Sequence, residues 1–534
     1  MNKAYPLVRD LRGLRQTRFE LLVIGGGIYG AWTAFDAALR GLKVALIEMR
    51  DWGSGTSSAS SKLIHGGLRY LENFEFQLVR HALAERRVLT HVAPHLVRPL
   101  RFVVPIWADS RMSRAQLKAG LTLYDLLAGR NQPVPGHRYF SSRELKKQFP
   151  YLRGEGLRGG LSYGDCQEDD ARMTLAVAAA AQGAGATLAN RVRATRLLRD
   201  ERGVHGAEVE DLENGERFPL HAACVVNAAG PWAQALNGDA AMPVRLVKGV
   251  HLVMPRIEGC DDAFLLTSPR DGRVYFVIPW YGRTLVGTTE SEVDDPTQVR
   301  VEDADIDYLL ESARHALPEL GWTRQQVLGR FAGVRTLQAE SEASLSKVTR
   351  EFTIALPIPR LIVPIGGKYT TARVDSVGIV DLVVRQLGRA RLASRTQETP
   401  LPGAPTGDFA SWQAEAVRRL IARGVDEESA TQAALRHGVR VDALMHLIDE
   451  QPPLAQRLVP SLPFIDAEVV IAARDEMARS IGDILRRRIP ALLLGCCDDA
   501  LAARVAGLMA GPLGWSEARQ RKALDDFIAY ARSR

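Results

Sequence analysis

Three cations, Arg69, Arg335 and Lys368, have sequence surroundings that suit an internal charged site. Arg69 follows Gly-Gly-Leu, Arg335 follows Ala-Gly-Val, and Lys368 follows Gly-Gly. A solvated surface charge is the usual state of any one such side chain, and that alternative stands for each of them alone. Glycine and small apolar neighbours favour an inward-facing position instead. Because a guanidinium group binds phosphate oxygens in pairs, such a set would suit a phosphorylated substrate.

His251 is the candidate general base. It lies in Lys248-Gly249-Val250-His251, on a predicted strand, and the ordinary pKa of imidazole suits proton transfer near neutral pH. A hydrogen-bonded histidine of the core is an equally good interpretation of the same residue.

The element that must position this chemistry starts at residue 19. An apolar run, Leu21 to Ile24, is typical of a buried strand, and Gly25-Gly-Gly-Ile28-Tyr-Gly30 and an alanine-rich helical stretch follow it. Gly25 permits the turn, Gly27 lets a pyrophosphate approach the backbone, and Gly30 lets helix and strand pack closely. The N–H groups at the helix start, Ile28 among them, would stabilise phosphate charge.

A second predicted strand, residues 43–47, ends on Glu48. A carboxylate there accepts hydrogen bonds from ribose hydroxyls and repels a 2′-phosphate, which favours FAD or NAD over NADP. An ordinary glycine-rich loop with an incidental glutamate is the alternative. The complete order of strand, turn, helix, strand and acid argues against it.

Further segments resemble cofactor contacts. Residues 51–62 are rich in small hydroxyl side chains, and a disordered linker is the alternative for them. The apolar run 222–229 ends at Ala229-Gly230, as a sheet strand that meets the cofactor would. Residues 361–367 form another strand–glycine element before a predicted helix, whose start could stabilise negative charge on a reduced flavin.

The run Thr56-Ser-Ser-Ala-Ser-Ser-Lys-Leu-Ile-His-Gly-Gly-Leu-Arg-Tyr-Leu71 resembles the signature of FAD-dependent, respiratory glycerol-3-phosphate dehydrogenases of the aerobic type. The resemblance recurs in order from residue 18 to 380 and is weaker from 400 to 534. Its other segments are Tyr163–Arg172, Asn227–Trp232, Val247–His251, Val277–Trp280, Gly287–Thr289, Ala332–Arg335 and Gly366–Thr371.

The resemblance implies a residue set for each role. Arg69, Tyr70, Arg335 and Lys368 would bind the substrate, and His251 and Arg335 are the catalytic candidates, because Arg335 could instead lower the pKa of the substrate hydroxyl. The FAD-binding residues would be Gly25, Gly27, Ile28, Gly30, Glu48, Thr56, Ser57, Ser58, Ser60, Ser61, Lys62, His65, Gly66, Ala229, Gly230, Gly367, Lys368 and Thr370. No metal site is predicted.

Three residues depart from the family pattern. Tyr29 stands where a small polar residue is common, Tyr369 where an aliphatic residue is usual, and Thr336 where proline is usual. Tyr369 and Thr336 neighbour the predicted substrate ligands, so the departures bear on substrate choice more than on the flavin.

The chain has 534 residues, which predicts more than one domain. We predict an α/β fold: a Rossmann-like FAD-binding domain, an antiparallel β-sheet substrate (cap) domain and a C-terminal α-helical domain. The predicted ranges are 18–90, 155–235 and 325–395 for the FAD-binding domain, 91–154 and 236–324 for the cap, and 400–534 for the helices.

The composition of the chain limits which partners and which cellular location are expected. The formal net charge of +7 fits anionic substrates or a lipid surface, and no nucleic-acid motif accompanies it. The five cysteines form no metal or redox spacing, and no apolar run is long enough to span a bilayer. We therefore expect a cytoplasmic protein without nucleic-acid partners, and a homo-oligomer, namely a dimer.

The implied reaction is oxidation of sn-glycerol 3-phosphate, with electrons passed to a membrane quinone. An oxygen-using oxidase, or an enzyme for another small hydroxy or amino acid, is the alternative. Residues 110–130 intersperse leucines with arginine and lysine, as an amphipathic helix on an anionic membrane would. A core-facing helix with a basic outer face is an equally common arrangement. We expect peripheral association with the inner face of the cytoplasmic membrane.

Overall fold

The computed structural model describes residues 5–72, 74–237, 244–338 and 352–532. The strands in chain order are β1 Phe19–Ile24, β2 Val44–Glu48, β3 Leu63–Ile64, β4 Val97–Trp107, β5 Arg138–Phe140, β6 Leu157–Glu168, β7 Thr187–Asn190, β8 Val192–Asp200, β9 Gly203–Asp211, β10 Arg217–Asn227, β11 Val244–Pro255, β12 Ala263–Thr267, β13 Val274–Trp280, β14 Arg283–Gly287, β15 Ser291–Val293, β16 Gly329–Gln338, β17 Thr353–Ile358 and β18 Leu361–Ile365.

The α-helices are α1 Leu11–Gln16, α2 Ile28–Leu39, α3 Phe76–Val92, α4 Arg114–Ala128, α5 Ser142–Gln148, α6 Asp170–Gly183, α7 Gln234–Asn237, α8 Asp303–Ala316, α9 Ala372–Gln386, α10 Phe409–Ile421, α11 Glu427–His437, α12 Val441–Glu450, α13 Asp466–Asp475, α14 Ile481–Asp483, α15 Asp499–Leu513 and α16 Glu517–Arg532. A π-helical turn, Ile484–Arg488, follows α14 directly.

The first sheet has the order β17-β18-β10-β1-β2-β7, with β8 and β9 attached through β10. Its central pairs β18–β10–β1–β2–β7 are parallel, so their carboxyl ends meet at one edge. The strands are apolar on both faces. Helices α2, α6 and α9 cover one face, and β8, β9 and the first residues of β10 cover the other. This edge is where a doubly wound sheet binds a nucleotide.

The second sheet is mostly antiparallel, in the order β15-β11-β14-β13-β12-β4-β6-β3, with β16 on β11 and β5 on β6. The predicted antiparallel region is therefore present in β11 to β14. Alternating inward residues of this sheet pack on α8 on one face and on α3, α4 and the C-terminal helices on the other. Residues 409–532 are helical, as predicted.

Three strands lie in a different sheet from the one that the predicted ranges imply. Strand β3 pairs with β6, β6 pairs with β4, and β16 pairs with β11, so all three belong to the second sheet although 18–90, 155–235 and 325–395 were assigned to FAD binding. Local sequence does not fix strand partners. The domain boundaries themselves stay a prediction. Among helices of the described ranges, none combines the length and hydrophobicity that a membrane span requires.

Candidate active site

A cavity of about 670 Å³ opens at the carboxyl edge of the first sheet and extends to the second sheet. One end is lined by the Gly25–Ile28 turn, Glu48 and the Ser54–Ser57 loop. The other end is lined by Arg69, Tyr70, Arg335 and the segment after β18. The cavity therefore connects the predicted dinucleotide site with the predicted substrate site.

The glycines of the first turn are required by close packing. Gly25 has φ +108°, and a Cβ there would lie 2.6 Å from the Ala228 carbonyl oxygen. A Cβ on Gly30 would lie 1.9 Å from the Gly25 carbonyl oxygen. The strand, turn and helix therefore fit together only with these residues, as predicted from the sequence.

Glu48 is held by backbone donors at the end of β2. Its carboxylate accepts hydrogen bonds from the N–H groups of Gly26 at 2.7 Å and Arg50 at 2.8 Å. Burial nevertheless raises the Glu48 pKa, and these two N–H groups oppose that rise. The carboxylate is thus fixed against the Gly-rich turn, with further lone pairs available at the cavity wall.

The hydroxyl-rich loop closes over the start of α2. Ser57 Oγ accepts a hydrogen bond from the Ile28 N–H at 2.9 Å, and a Cβ on Gly27 would lie 3.1 Å from that hydroxyl. Ser60 Oγ donates to Asp170 at 2.7 Å. The segment is therefore an ordered wall of the cavity, and the alternative of a disordered linker is wrong.

The opposite end of the cavity concentrates positive charge. Arg69 Nη1 lies 3.7 Å from Glu290 Oε1, and Arg335 Nη1 lies 3.6 Å from the same oxygen. Lys368 Nζ lies 3.5 Å from the ring centroid of Tyr70, and the Arg69 guanidinium lies 5.1 Å from it. Arg69 and Arg335 therefore share one carboxylate, and Arg69 and Lys368 share one tyrosine ring, although the three cations are distant in sequence.

This cluster has more positive charge than its neighbours neutralise. Within the described residues, neither Lys368 Nζ nor Arg335 Nη1 has a hydrogen-bond partner, although both atoms are buried. Burial and then the nearby Arg69 lower the Lys368 pKa to about 7. Burial also lowers the pKa of Arg335. Buried cationic donors without a hydrogen-bond acceptor favour an anionic ligand, because such a ligand supplies the missing acceptors.

The two histidines near this end are both uncharged. Burial, with Lys368 and Arg69 nearby, lowers the His65 pKa to about 3. Burial, with Arg335 and Lys62 nearby, lowers the His251 pKa to about 3. His251 Nε2 lies 2.9 Å from Ser61 Oγ, and its ring stacks on Phe331 with centroids 5.0 Å apart. His251 is not part of the cavity lining, but it contacts Ser61, which is.

Most of the predicted site residues lie on this one cavity. Those in its lining are Gly25, Gly27, Ile28, Glu48, Thr56, Ser57, Ser60, Ser61, His65, Arg69, Tyr70, Ala229, Gly230, Arg335, Gly367, Lys368 and Thr370. Their roles toward substrate and cofactor stay predictions, but the three cations do converge.

Five predicted site residues lie outside this lining: Gly30, Ser58, Lys62, Gly66 and His251. Lys62 Nζ donates to Asp170 at 2.6 Å and to the Ser58 carbonyl at 2.8 Å, so its ammonium group is paired within the protein, and a role of Lys62 toward FAD stays a prediction. A buried ammonium group needs a carboxylate partner, and Asp170 provides it. The Gly66 N–H donates to the Tyr124 hydroxyl at 2.9 Å, behind the wall.

Sequence reasoning missed Glu290, the acid shared by Arg69 and Arg335. It directly follows Gly287-Thr-Thr289, a segment already recognised, so its proximity to that motif was an available signal. Two of the three departures, Tyr29 and Tyr369, line the cavity and are hydrogen-bonded within the protein. Tyr29 Oη donates to Asp375 at 2.6 Å, and Tyr369 Oη donates to the Asp170 carbonyl at 2.6 Å.

Comparisons with known proteins agree with this geometry. Residues 20–373 match the family model described as FAD dependent oxidoreductase. Residues 394–520 match the model described as the C-terminal domain of alpha-glycerophosphate oxidase. The fold and the site thus define an FAD-dependent oxidoreductase.

Curated relatives and solved structures narrow the class. The chain is 36% identical to "Glycerol-3-phosphate dehydrogenase" of Synechocystis, over 98% of both chains. It is 37% identical to "Glycerol-3-phosphate dehydrogenase 2" of Mycobacterium tuberculosis, over 96% of this chain and 88% of the relative. The glycerol-3-phosphate dehydrogenase of Bacillus halodurans, solved with FAD, superposes with a TM-score of 0.80 at 27% identity, over 100% of this chain and 98% of that one. The chain therefore belongs to the family of FAD-dependent glycerol-3-phosphate dehydrogenases.

The residues present fit FAD as the cofactor. The cavity is long, one end is a side-chain-free glycine turn at a helix start, and Glu48 lies beside it. Gly25, Gly27, Glu48 and the Thr56–Ser61 loop would hold the dinucleotide part. When bound, FAD supplies a two-electron acceptor for substrate oxidation.

Proposed function

We propose that the protein oxidises sn-glycerol 3-phosphate at C2 to dihydroxyacetone phosphate, with hydride transfer to flavin N5. The convergence of Arg69, Arg335 and Lys368 at one end of the flavin cavity carries this proposal. A phosphate group would supply the hydrogen-bond acceptors that Lys368 Nζ and Arg335 Nη1 lack among the described residues. The names of the relatives support the same substrate.

The chain's own groups would bind and orient the substrate. The two guanidinium groups, which share Glu290 Oε1, would take the phosphate and a substrate oxygen. Lys368, stacked on Tyr70, adds a charge at the same point. Arg335 beside the C2 hydroxyl would also favour its deprotonation electrostatically, while neutral His251, behind Ser61, would accept the proton through that hydroxyl.

Anaerobic reduction of the bound flavin tests the substrate. The purified yellow protein should bleach when it is mixed with glycerol 3-phosphate and stay oxidised with plain glycerol, because glycerol lacks the anion that the cations require. Bleaching by both compounds at equal concentration would remove the cationic site from the proposal. Bleaching only by an amino acid or a non-phosphorylated hydroxy acid would replace the substrate.

For the electron acceptor we propose a membrane quinone, reached from the surface of an anionic membrane. Helix α4 corresponds to the predicted amphipathic segment, but Leu117 and Leu121 are buried in the protein, so the core-facing alternative is right for them. Leu126 on this helix is 74% exposed, and Phe74, at the entrance to the neighbouring α3, is 76% exposed. Exposed apolar side chains beside basic ones suit shallow insertion into lipid.

Vesicle binding tests this surface. The protein should co-sediment with vesicles that contain phosphatidylglycerol, and Phe74→Glu together with Leu126→Glu should release it without altering flavin bleaching. Equal binding of the double variant, or no binding of the unmodified protein at low salt, would remove this surface from the proposal.

Oxygen is the second candidate acceptor. The observation in its favour is the match of residues 394–520 to a domain model that is described from an oxidase. Peroxide formation separates the two candidates. Stoichiometric hydrogen peroxide during aerobic turnover without quinone would favour the oxidase, whereas slow reoxidation by oxygen and fast reoxidation by a short-chain quinone would favour the dehydrogenase.

A further inference from the structure

The C-terminal helices contact the cofactor-binding loop at a buried carboxylate, Asp51. Arg488 donates to Asp51 through Nη1 at 2.8 Å and through Nη2 at 3.0 Å. Arg487 Nε donates to the same carboxylate. The Asp51 side chain is fully buried, and both arginines lie in the π-helical turn Ile484–Arg488. Two cations from the C-terminal helices therefore meet one anion of the FAD-binding part.

Asp51 lies in the turn that joins Glu48 to the hydroxyl-rich loop. Its carbonyl accepts a hydrogen bond from the Ser54 N–H at 3.0 Å, and Gly53 N–H donates to the Gly26 carbonyl at 2.9 Å. The Trp52 ring packs on Gly26, where a Cβ would lie 2.5 Å from Trp52 Cε3. Displacement of Asp51 would therefore move both the Gly-rich turn and the Ser54–Ser57 wall.

The arginines are themselves held by further contacts. Arg487 Nη2 donates to Asp483 at 2.6 Å, and Arg488 Nη2 donates to the Glu476 carbonyl at 2.8 Å. Asn190, which pairs with Glu48 across β7 and β2, donates to the Met477 carbonyl at 2.9 Å. The segment 476–488 is thus bonded to the same sheet edge that presents Glu48.

We propose that Arg487 and Arg488 are positioning residues for FAD, and that the C-terminal domain fixes the dinucleotide-binding loop through Asp51. The substitution Arg488→Lys would keep the charge but could not make the paired hydrogen bonds of a guanidinium group to Asp51, so the turn would shift or loosen. The inference rests on FAD as the cofactor and is independent of the proposed substrate and electron acceptor. Neither arginine lies in the cavity lining, so the effect on the cofactor is indirect.

The test compares two matched substitutions, Arg488→Lys and Arg436→Lys. Arg436 is equally buried in the C-terminal domain and bonds Glu468 through two nitrogens, each at 2.7 Å, and it also donates to the Pro463 carbonyl at 2.9 Å. After dilution of the holoenzyme, FAD release is followed by flavin fluorescence. We expect Arg488→Lys to release FAD about tenfold faster than the unmodified protein, and Arg436→Lys to release it at the unmodified rate.

Added FAD distinguishes positioning from unfolding. Excess FAD should restore the bound-flavin spectrum and full flavin bleaching by substrate in Arg488→Lys. Unchanged FAD release in Arg488→Lys, equal acceleration in both variants, or a loss that excess FAD does not restore would each overturn the proposal.

Hydrogen exchange in the unmodified protein tests the same coupling between the FAD site and the C-terminal helices. Because coupling between two sites is reciprocal, FAD added to the apoprotein should slow amide hydrogen exchange in residues 484–489 as well as in residues 25–30. Slower exchange in 25–30 alone would overturn the proposal.

Discussion

The two ends of the cavity are built in different ways. At the dinucleotide end, backbone groups and one carboxylate are already hydrogen-bonded to each other, as Gly26 N–H and Arg50 N–H are to Glu48. At the cationic end, Lys368 Nζ and Arg335 Nη1 are buried without hydrogen-bond partners among the described residues. The first end is complete by itself, and the second has charges that need an anion.

The difference concerns how each end selects its ligand. The dinucleotide end recognises shape, because the glycines have no side chains and so leave room for a pyrophosphate to approach the backbone. The cationic end recognises charge, because buried cations are stabilised when a negatively charged ligand binds beside them. Substitutions that change shape should therefore weaken FAD binding, and changes of charge or pH should alter substrate binding.

The largest expected effect is steric. Gly30→Ala places a Cβ 1.9 Å from the Gly25 carbonyl. Overpacking of a tight site costs about 3 kcal/mol, so FAD should bind about a hundredfold more weakly. Flavin content after purification measures this. Gly378→Ala is the control, since a Cβ there meets nothing within 4 Å. Full flavin content in Gly30→Ala would contradict the shape argument.

Arg335→Gln should affect the substrate and leave FAD bound. Loss of a buried charged partner of a ligand costs about 2–4 kcal/mol, so kcat/KM should fall about a hundredfold. Arg330→Gln provides the control, since Arg330 lies on the same strand but is exposed. Anaerobic flavin bleaching measures the rate and affinity. Equal kinetics of the two variants would show that the cationic end does not bind substrate.

Lys368 should make substrate affinity depend on pH. Its pKa is lowered to about 7, so the cation is present below that pH and is lost as pH rises through it. The dissociation constant for glycerol 3-phosphate should therefore increase above pH 7, by up to about tenfold per unit. Lys368→Arg should remove this dependence and Lys368→Gln should remove both the dependence and much of the affinity. A dependence that survives in Lys368→Arg would assign it to another group.

The smallest expected effect is at His251. Because its pKa is lowered to about 3, it is neutral throughout the working range. His251→Ala should slow flavin bleaching more than it weakens substrate binding. In both proteins, however, the bleaching rate should not fall as the pH is lowered from 7 to 5. An acid limb near pH 6.5 that is absent from His251→Ala would show an ordinary histidine base. An unchanged bleaching rate would remove His251 from the mechanism.

The sequence predicted the dinucleotide end in detail because that end is local. Gly25, Gly27, Gly30 and Glu48 lie within one strand–turn–helix–strand unit, and each has a steric or hydrogen-bonding requirement that fixes its residue type. The pairing of Lys62 is not local. Its buried partner Asp170 lies about a hundred residues away, so the sequence of the loop could not show that the two groups meet.

The sequence by itself determined the FAD-binding unit and the helical C-terminal region. It also singled out three cations, each close to glycine in the chain, as candidate ligands of the substrate. Tertiary structure alone decided that Arg69 and Arg335 share Glu290, that β6 and β16 join the second sheet, and that Arg487 and Arg488 contact Asp51. The physical reason is range. Backbone geometry and helix starts depend on a few neighbouring residues. Charge pairs and strand pairs join segments that are far apart in the chain, and neither segment alone indicates its partner.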